Sequence, residues 1–420
     1  MASEKRKTSR FWILGNKGLD TNLIVITMFL IIFGLIMIYS ASYYKCSITK
    51  AFDYDSMHFL KNQALMSCVG LAAMFVVSNI NYHFWKKKLI VYLAAALSIG
   101  LTLILLTRLF GQGHPLNLTI TANGATRWVK FGPISFQVAE PVKIAVIVIT
   151  SWLIDKYGAM EIKWKKFTLK HWMVTAVILA PGVGLAGFLG IISSNMSSAL
   201  IIAIIGVVMY FAWHPKSAIF YLAAIVGAAA IAVFVYVISQ QGVVDAEEGF
   251  RLTRIRAWLD PYSYESDESF QSLQALYAIG SGGLFGKGLG NSIQKLGKIP
   301  EPYNDFIFSI VCEELGVMGA SLLLLMFIYL LYRIYSVAQR AEDLFGRMLA
   351  TGVFSHIALQ VVMNIAVVTG AMPNTGVTLP FISYGGTATI FLLIEIGMVL
   401  NVQKWSERKR DEDTRLQQFR

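Results

Sequence analysis

Charge and cysteine are both scarce in this chain. Asp, Glu, Lys and Arg make up 15% of its 420 residues, where a water-soluble protein carries about 25%. That is too little polar surface to cover a globule of this length, which excludes a soluble enzyme. The long apolar blocks exclude a disordered tail protein. The three cysteines, Cys46, Cys68 and Cys312, are too few for a disulfide scaffold, and Cys68 and Cys312 sit among apolar residues as buried thiols do. No His/Cys cluster has zinc spacing. The net charge of +11 comes from short basic runs between apolar blocks. That distribution marks membrane-flanking residues, not a nucleic-acid binder.

Apolar residues, by contrast, are abundant, at 56%. A membrane-crossing helix needs about 20 of them in succession. Ten stretches qualify: Leu23–Ser42, Phe59–Ile80, Leu89–Leu109, Val138–Ile154, Trp172–Ile192, Ala199–Trp213, Ser217–Gln240, Phe306–Tyr332, Met348–Ala371 and Tyr384–Val402. The sixth is short and reads either as its own span or as half of a broken fifth. The expected fold is an all-α integral membrane protein of about ten transmembrane helices, a single polytopic domain over residues 1–420. The termini and the loops on their side hold 23 of the 36 Lys and Arg, so by the positive-inside rule both ends are cytoplasmic. Residues 1–22 then form a cytoplasmic segment and residues 403–420 a charged tail expected to fray. A large outer loop, residues 241–305, joins helices 7 and 8. The first apolar stretch exceeds the roughly 7–15 residues of a signal-peptide core, so it reads as a retained helix.

In so apolar a chain, chemistry is expected where ionisable groups gather. Before the fourth span runs Asn123-Gly124-Ala125-Thr126-Arg127-Trp128-Val129-Lys130, and the span opens Gln137-Val138-Ala139-Glu140-Pro141-Val142-Lys143. Glu140 and Lys143 are three apart and share a helix face; they are a structural ion pair or part of a site. The outer loop carries Arg251, Arg254 and Arg256, then a Gly-rich segment, Gly280–Gly290. That segment lacks the phosphate-loop spacing, because Lys287 is followed by Gly288 rather than Ser or Thr. A flexible loop with exposed amides is the expectation. Glu301, Asn304 and Asp305 precede the eighth span. Asn304 suits a helix cap and Asp305 a first turn, but a carboxylate at that interface beside arginines also suits a general base for a sugar hydroxyl. Glu313, Glu314 and Glu395 lie inside spans and need partners, structural or cavity-lining. The Met372–Thr387 segment, with two prolines, reads as a non-helical re-entrant turn.

These motifs resemble the SEDS family (shape, elongation, division and sporulation), the group of FtsW and RodA, over Leu23 to Val402. The resemblance rests on Pro300-Glu301-Pro302-Tyr303-Asn304-Asp305-Phe306-Ile307-Phe308, Glu313-Glu314-Leu315-Gly316 and the Pro373–Gly386 segment. The Asn304-Asp305 and Cys312-Glu313-Glu314 wording is closer to FtsW than to RodA, and the sporulation branch stands as an alternative. Two departures stand out. Val138-Ala139 replaces the family's usual Pro-Ser before the glutamate, and Asn195 stands where an acid is usual.

The resemblance implies a peptidoglycan glycosyltransferase that polymerises lipid II on the outer face of the bacterial cytoplasmic membrane, at the division septum. It implies a class B penicillin-binding protein transpeptidase as partner, with other division proteins and membrane lipids around it, and no nucleic acid. Asp305 matches the family's essential aspartate and is the expected base of an inverting transfer. Arg127, Trp128, Glu140, Lys143, Arg251, Arg254 and Glu301 are the expected substrate-binding residues. A divalent cation (Mg or Mn) is a candidate cofactor, since it suits the pyrophosphate. A lipid II flippase and a non-catalytic division scaffold are the rival readings; a flippase needs polar groups at the membrane midplane.

Overall fold

The computed structural model describes residues 19–111, 114, 117–122, 125–132, 134–162, 169–193, 195–214, 258–259 and 267–418. Its helices are α1 (Thr21–Ile48), α2 (His58–Asn79), α3 (Lys88–Ile104), α4 (Ala139–Ile162), α5 (Leu169–Ser193), α6 (Met196–Trp213), α7 (Asp267–Gly282), α8 (Ile307–Arg340), α9 (Leu344–Val368) and α10 (Thr387–Gln418). Eight of the described helices are long and apolar enough to cross a membrane; α4, with Glu140 and Lys143 near its start, is not among them. The chain is thus a mostly helical, multi-pass membrane protein. The seventh expected span, Ser217–Gln240, lies outside the described residues.

Helix α8 shows why these helices suit lipid. Ala320, Leu323, Phe327, Leu330 and Ile334 are buried, while Met318, Leu322, Leu325, Tyr329 and Tyr332 are exposed. Both faces are apolar, which is stable only where the outer one meets hydrocarbon. The fifth and sixth stretches are separate helices. A Cβ on Gly182 of α5 would lie 2.9 Å from Gly206 Cα of α6, so the two pack side by side around the break at Asn195. That residue caps α6, its side chain accepting from the Ser198 N–H.

The helical fold also carries one small sheet: β1 (Thr119–Ala122), β2 (Ala125–Phe131) and β3 (Ile134–Gln137) form an antiparallel meander before α4. Alternating residues around Asn123-Gly124 favour such a hairpin. One expectation is corrected: the tail does not fray, since α10 continues to Gln418. Its charged half is supported by Gln403–Glu407, one turn apart, and by Lys409 pairing with Glu342 after α8. At the same end of the bundle, Asp20 caps α1 and receives the Arg333 guanidinium of α8.

Candidate functional site: an Asp305 mouth above buried ionic pairs

Asp305 does not lie in a helical turn. Helix α8 starts at Ile307 with Phe306 as its cap residue, and no side chain caps it. Asn304 therefore is not the cap; its amide donates to Glu301 Oε2 at 2.6 Å. Glu301 is exposed and holds a left-handed φ of 52°. The two prolines flanking it prevent a helix from starting earlier.

The turn is pinned from below by aromatic packing. Tyr303 stacks on Phe59 of α2 at 4.1 Å, and its carbonyl accepts from the Tyr384 N–H at 2.8 Å. Burial, reinforced by the Glu301 charge, pushes the Tyr303 hydroxyl above its ordinary range. Burial also raises that of Tyr384. Both phenols are neutral packing groups at neutral pH and do not compete as bases.

Asp305 is half-buried and lies beside Arg127, also half-buried, and Gly376, which is exposed. A Cβ on Gly376 would lie 3.7 Å from Arg127 Nη1 and 3.8 Å from Asp305 Oδ2. Guanidinium and carboxylate thus converge on one point above a glycine with a φ of 66°. Asn364 of α9 holds the scaffold together: its Nδ2 donates to the Asp305 carbonyl at 2.7 Å and to the Val377 carbonyl at 2.8 Å. The Met372–Thr387 segment is non-helical, as expected. It is tied to α6 by Ser197 Oγ on the Thr375 carbonyl (2.7 Å) and to α2 by Gln63 Oε1, which accepts from Gly385 and Gly386. Arg127 and the half-buried Trp128 belong to β2. The Arg127 carbonyl accepts from the Val138 N–H, so the meander delivers the chain straight into α4.

Glu140 and Lys143 lie beneath this mouth rather than at it. Both are buried and pair at 2.9 Å. A buried ammonium needs a counter-charge, and the i, i+3 spacing supplies it. Two further buried groups share their level: His356 Nδ1 of α9 bonds both Glu395 oxygens of α10, at 2.8 and 3.0 Å. Arg251 and Arg254 lie outside the described residues.

Glu313 and Glu314 are wholly buried, and their partners come from Lys287 of the Gly-rich segment, from Ser292–Lys295 just after it and from Ser40 of α1. Glu313 accepts from Lys287 Nζ at 2.6 Å, from the Ile293 N–H at 3.1 Å, from the Gln294 N–H at 3.3 Å and from the Ser292 hydroxyl. Glu314 accepts from Lys295 Nζ and Ser40 Oγ, each at 2.7 Å. Helix α8 breaks at Gly316 (φ 66°), and the Gly-rich segment fills the break. The Lys287 and Gly288 N–H groups donate to the Glu313 and Glu314 carbonyls, and those of Val317 and Met318 donate to the carbonyls of Gly283 and Leu284. A Cβ on Gly286 would sit 2.1 Å from the Glu314 carbonyl oxygen, so only glycine passes there.

Sequence reasoning missed Asn364, Gln63, His356 and Gln360. A signal was present: His356, Gln360 and Asn364 recur every fourth residue in the later, mostly apolar part of α9. Among the described residues no group of three or more His, Cys, Asp or Glu is placed to hold a metal.

Residues 20–408 match the cell cycle protein family that takes in FtsW, RodA and SpoVE. The chain is 36% identical to the stage V sporulation protein E of Bacillus subtilis (strain 168), over 92% of this chain and 97% of that protein. It is 35% identical to a probable peptidoglycan glycosyltransferase FtsW of Geobacter sp. (strain M18), over the same shares. Two solved structures share its fold. One is a chain of a peptidoglycan synthase complex (TM-score 0.67, 24% identity). The other is the rod shape determining protein RodA of Thermus thermophilus (TM-score 0.59, 23% identity). Each match covers 94% of this chain and 98% of the other.

Proposed function

The chain belongs to the FtsW, RodA and SpoVE family, and on that premise we propose that it is a peptidoglycan glycosyltransferase polymerising lipid II in the bacterial cytoplasmic membrane. The observation that carries this reading is the convergence of Asp305 and Arg127 on the exposed Gly376. It sets a carboxylate and a cation side by side at a polar opening in a lipid-facing bundle. Lipid II has a matching form, a sugar-peptide on a pyrophosphate carried by a long apolar tail.

The reaction joins the 4-hydroxyl of an acceptor GlcNAc to C1 of a donor MurNAc. The α-linked pyrophosphate leaves and a β-linkage forms, so the centre inverts and the base stands opposite the leaving group. Asp305 takes the hydroxyl proton, a contribution of about 10²–10⁴-fold. Arg127 meets the negative charge growing on the departing pyrophosphate. Lys143, buried with Glu140, acts from beneath as a fixed charge rather than by contact. Glu301 and Trp128 border the acceptor side, and Arg251 and Arg254 are further candidates to bind the sugar-phosphates. The mouth faces outward, both termini are cytoplasmic, and a class B penicillin-binding protein cross-links the product at the septum.

Purified protein with that transpeptidase should convert lipid II to glycan polymer, and Asp305→Asn should abolish the product while melting temperature and partner binding stay unchanged. Polymer at the normal rate from that variant overturns the assignment. The flippase reading needs cargo-facing charges deep in the bundle. Glu313 and Glu314 do not meet that need, because their oxygens are filled by the chain's own donors.

A further inference from the structure

His356, Gln360 and Asn364 lie on one face of α9, one turn apart, and all three are buried. Each has a buried polar atom with no partner among the described residues: His356 Nε2, Gln360 Oε1 and Asn364 Oδ1. Glu140 Oε2 of α4 is in the same condition. Both α4 and α9 have an end at the mouth, α4 by its start (Val138 to Arg127) and α9 by its finish (Asn364 to Asp305), so they run antiparallel. A Cβ on Gly352 would lie 2.5 Å from Ile147 Cγ2, which sets the register. One turn from that contact, Lys143 comes level with His356. The row therefore runs from the Asp305 backbone down past the Glu140–Lys143 pair to His356, where Glu395 closes it. Buried polar atoms without partners are rare, and a contiguous row of them marks ordered internal water.

We propose that water along this face of α9 relays the proton taken up by Asp305, with His356 and Glu395 as its acceptor at the closed end. The proposal rests on Asp305 being the base. As the acceptor oxygen bonds to C1 and the C1–oxygen bond to pyrophosphate breaks, the hydroxyl proton passes to Asp305. Two bulky lipid-linked sugars then cover the mouth and cut Asp305 off from bulk water. The proton moves along the internal waters, past Gln360, to His356 Nε2, over roughly 12 Å, the rise of two helical turns. Glu395, bonded to Nδ1, neutralises the imidazolium. When the product slides on and the mouth reopens, the proton returns to Asp305 and leaves to solvent, so nothing is consumed. The charged and titratable groups facing His356 are Glu395 from α10 and Glu140 and Lys143 from α4. His356 and Glu395 are relay residues, not substrate contacts.

The test is lipid II polymerisation by the full chain with its transpeptidase, followed across pH and in heavy water, for Gln360→Met, His356→Phe and Glu395→Gln. Gln360→Met keeps the volume and loses the polar end, so it reads the column even where His356→Phe fails to fold. The expected result is a kcat about tenfold lower at unchanged KM, a larger solvent isotope effect, and a defect that shrinks as pH rises and Asp305 sheds its proton more readily. Folded variants with wild-type kcat and isotope effect, in an enzyme that still requires Asp305, overturn the relay alone. An Asp305→Asn enzyme of normal rate overturns the base assignment beneath it.

Discussion

At Glu313 and Glu314 all four carboxylate oxygens accept hydrogen bonds from lysines, serines and backbone amides, and neither side chain reaches the surface. At Asp305, eight residues earlier, the carboxylate is half-exposed and set beside a guanidinium. The same residue chemistry, on adjoining stretches of chain, is used in two ways. Saturated acids are cross-links: they hold the Gly-rich segment, α1 and α8 together, and the energy of their desolvation is offset by fixed donors. The acid at the mouth has its backbone carbonyl held by Asn364, and its carboxylate lies near Arg127 over the exposed Gly376.

Substitutions should separate these uses. Asp305→Asn should give the largest effect, a loss of about 10²–10⁴-fold in polymerisation rate with an unchanged melting temperature. If the melting temperature falls instead, Asp305 belongs with the cross-links. Glu314→Ala should do the reverse. It strands the buried Lys295 ammonium and should cost about 3–5 kcal/mol of stability, read as a large drop in detergent melting temperature and folded yield. Asn364→Ala tests the backbone hold. With its two carbonyl contacts gone, kcat should fall about tenfold, or about 1.4 kcal/mol in barrier, with a smaller change in melting temperature.

The smallest effect belongs to Asp55, an exposed acid whose carboxyl is held below its ordinary value by the Lys61 ammonium and then by the Met57 N–H. A depressed carboxyl stabilises above its unfolded pKa of about 3.9 and loses that contribution only as the medium becomes more acid. Asp55→Asn should therefore leave melting at pH 7 within error. A shift of several degrees would mean that exposed pairs also act as cross-links here.

Much of this was legible in the sequence. The helices were, because uninterrupted apolar runs of membrane length have one stable backbone solution in lipid. The Glu140–Lys143 pair was legible because its spacing is local. What was not legible depends on residues far apart in the chain. The Gly-rich segment reads as flexible until Glu313 and Gly316 are brought to it, and the convergence of Arg127 with Asp305 spans 178 positions. Asn304 is a nearer case: it reads as a cap, but its amide is taken by Glu301 three residues before it. The meander at Thr119–Gln137 was hidden by its shortness, although an Asn-Gly pair between alternating residues is a hairpin signal in sequence.

The stitched break in α8 bears on how the protein is made. Without the amides of Lys287 and Gly288, the carbonyls of Glu313 and Glu314 would be buried without these partners. The kinked span is therefore complete only once the segment that precedes it in the chain has docked into it.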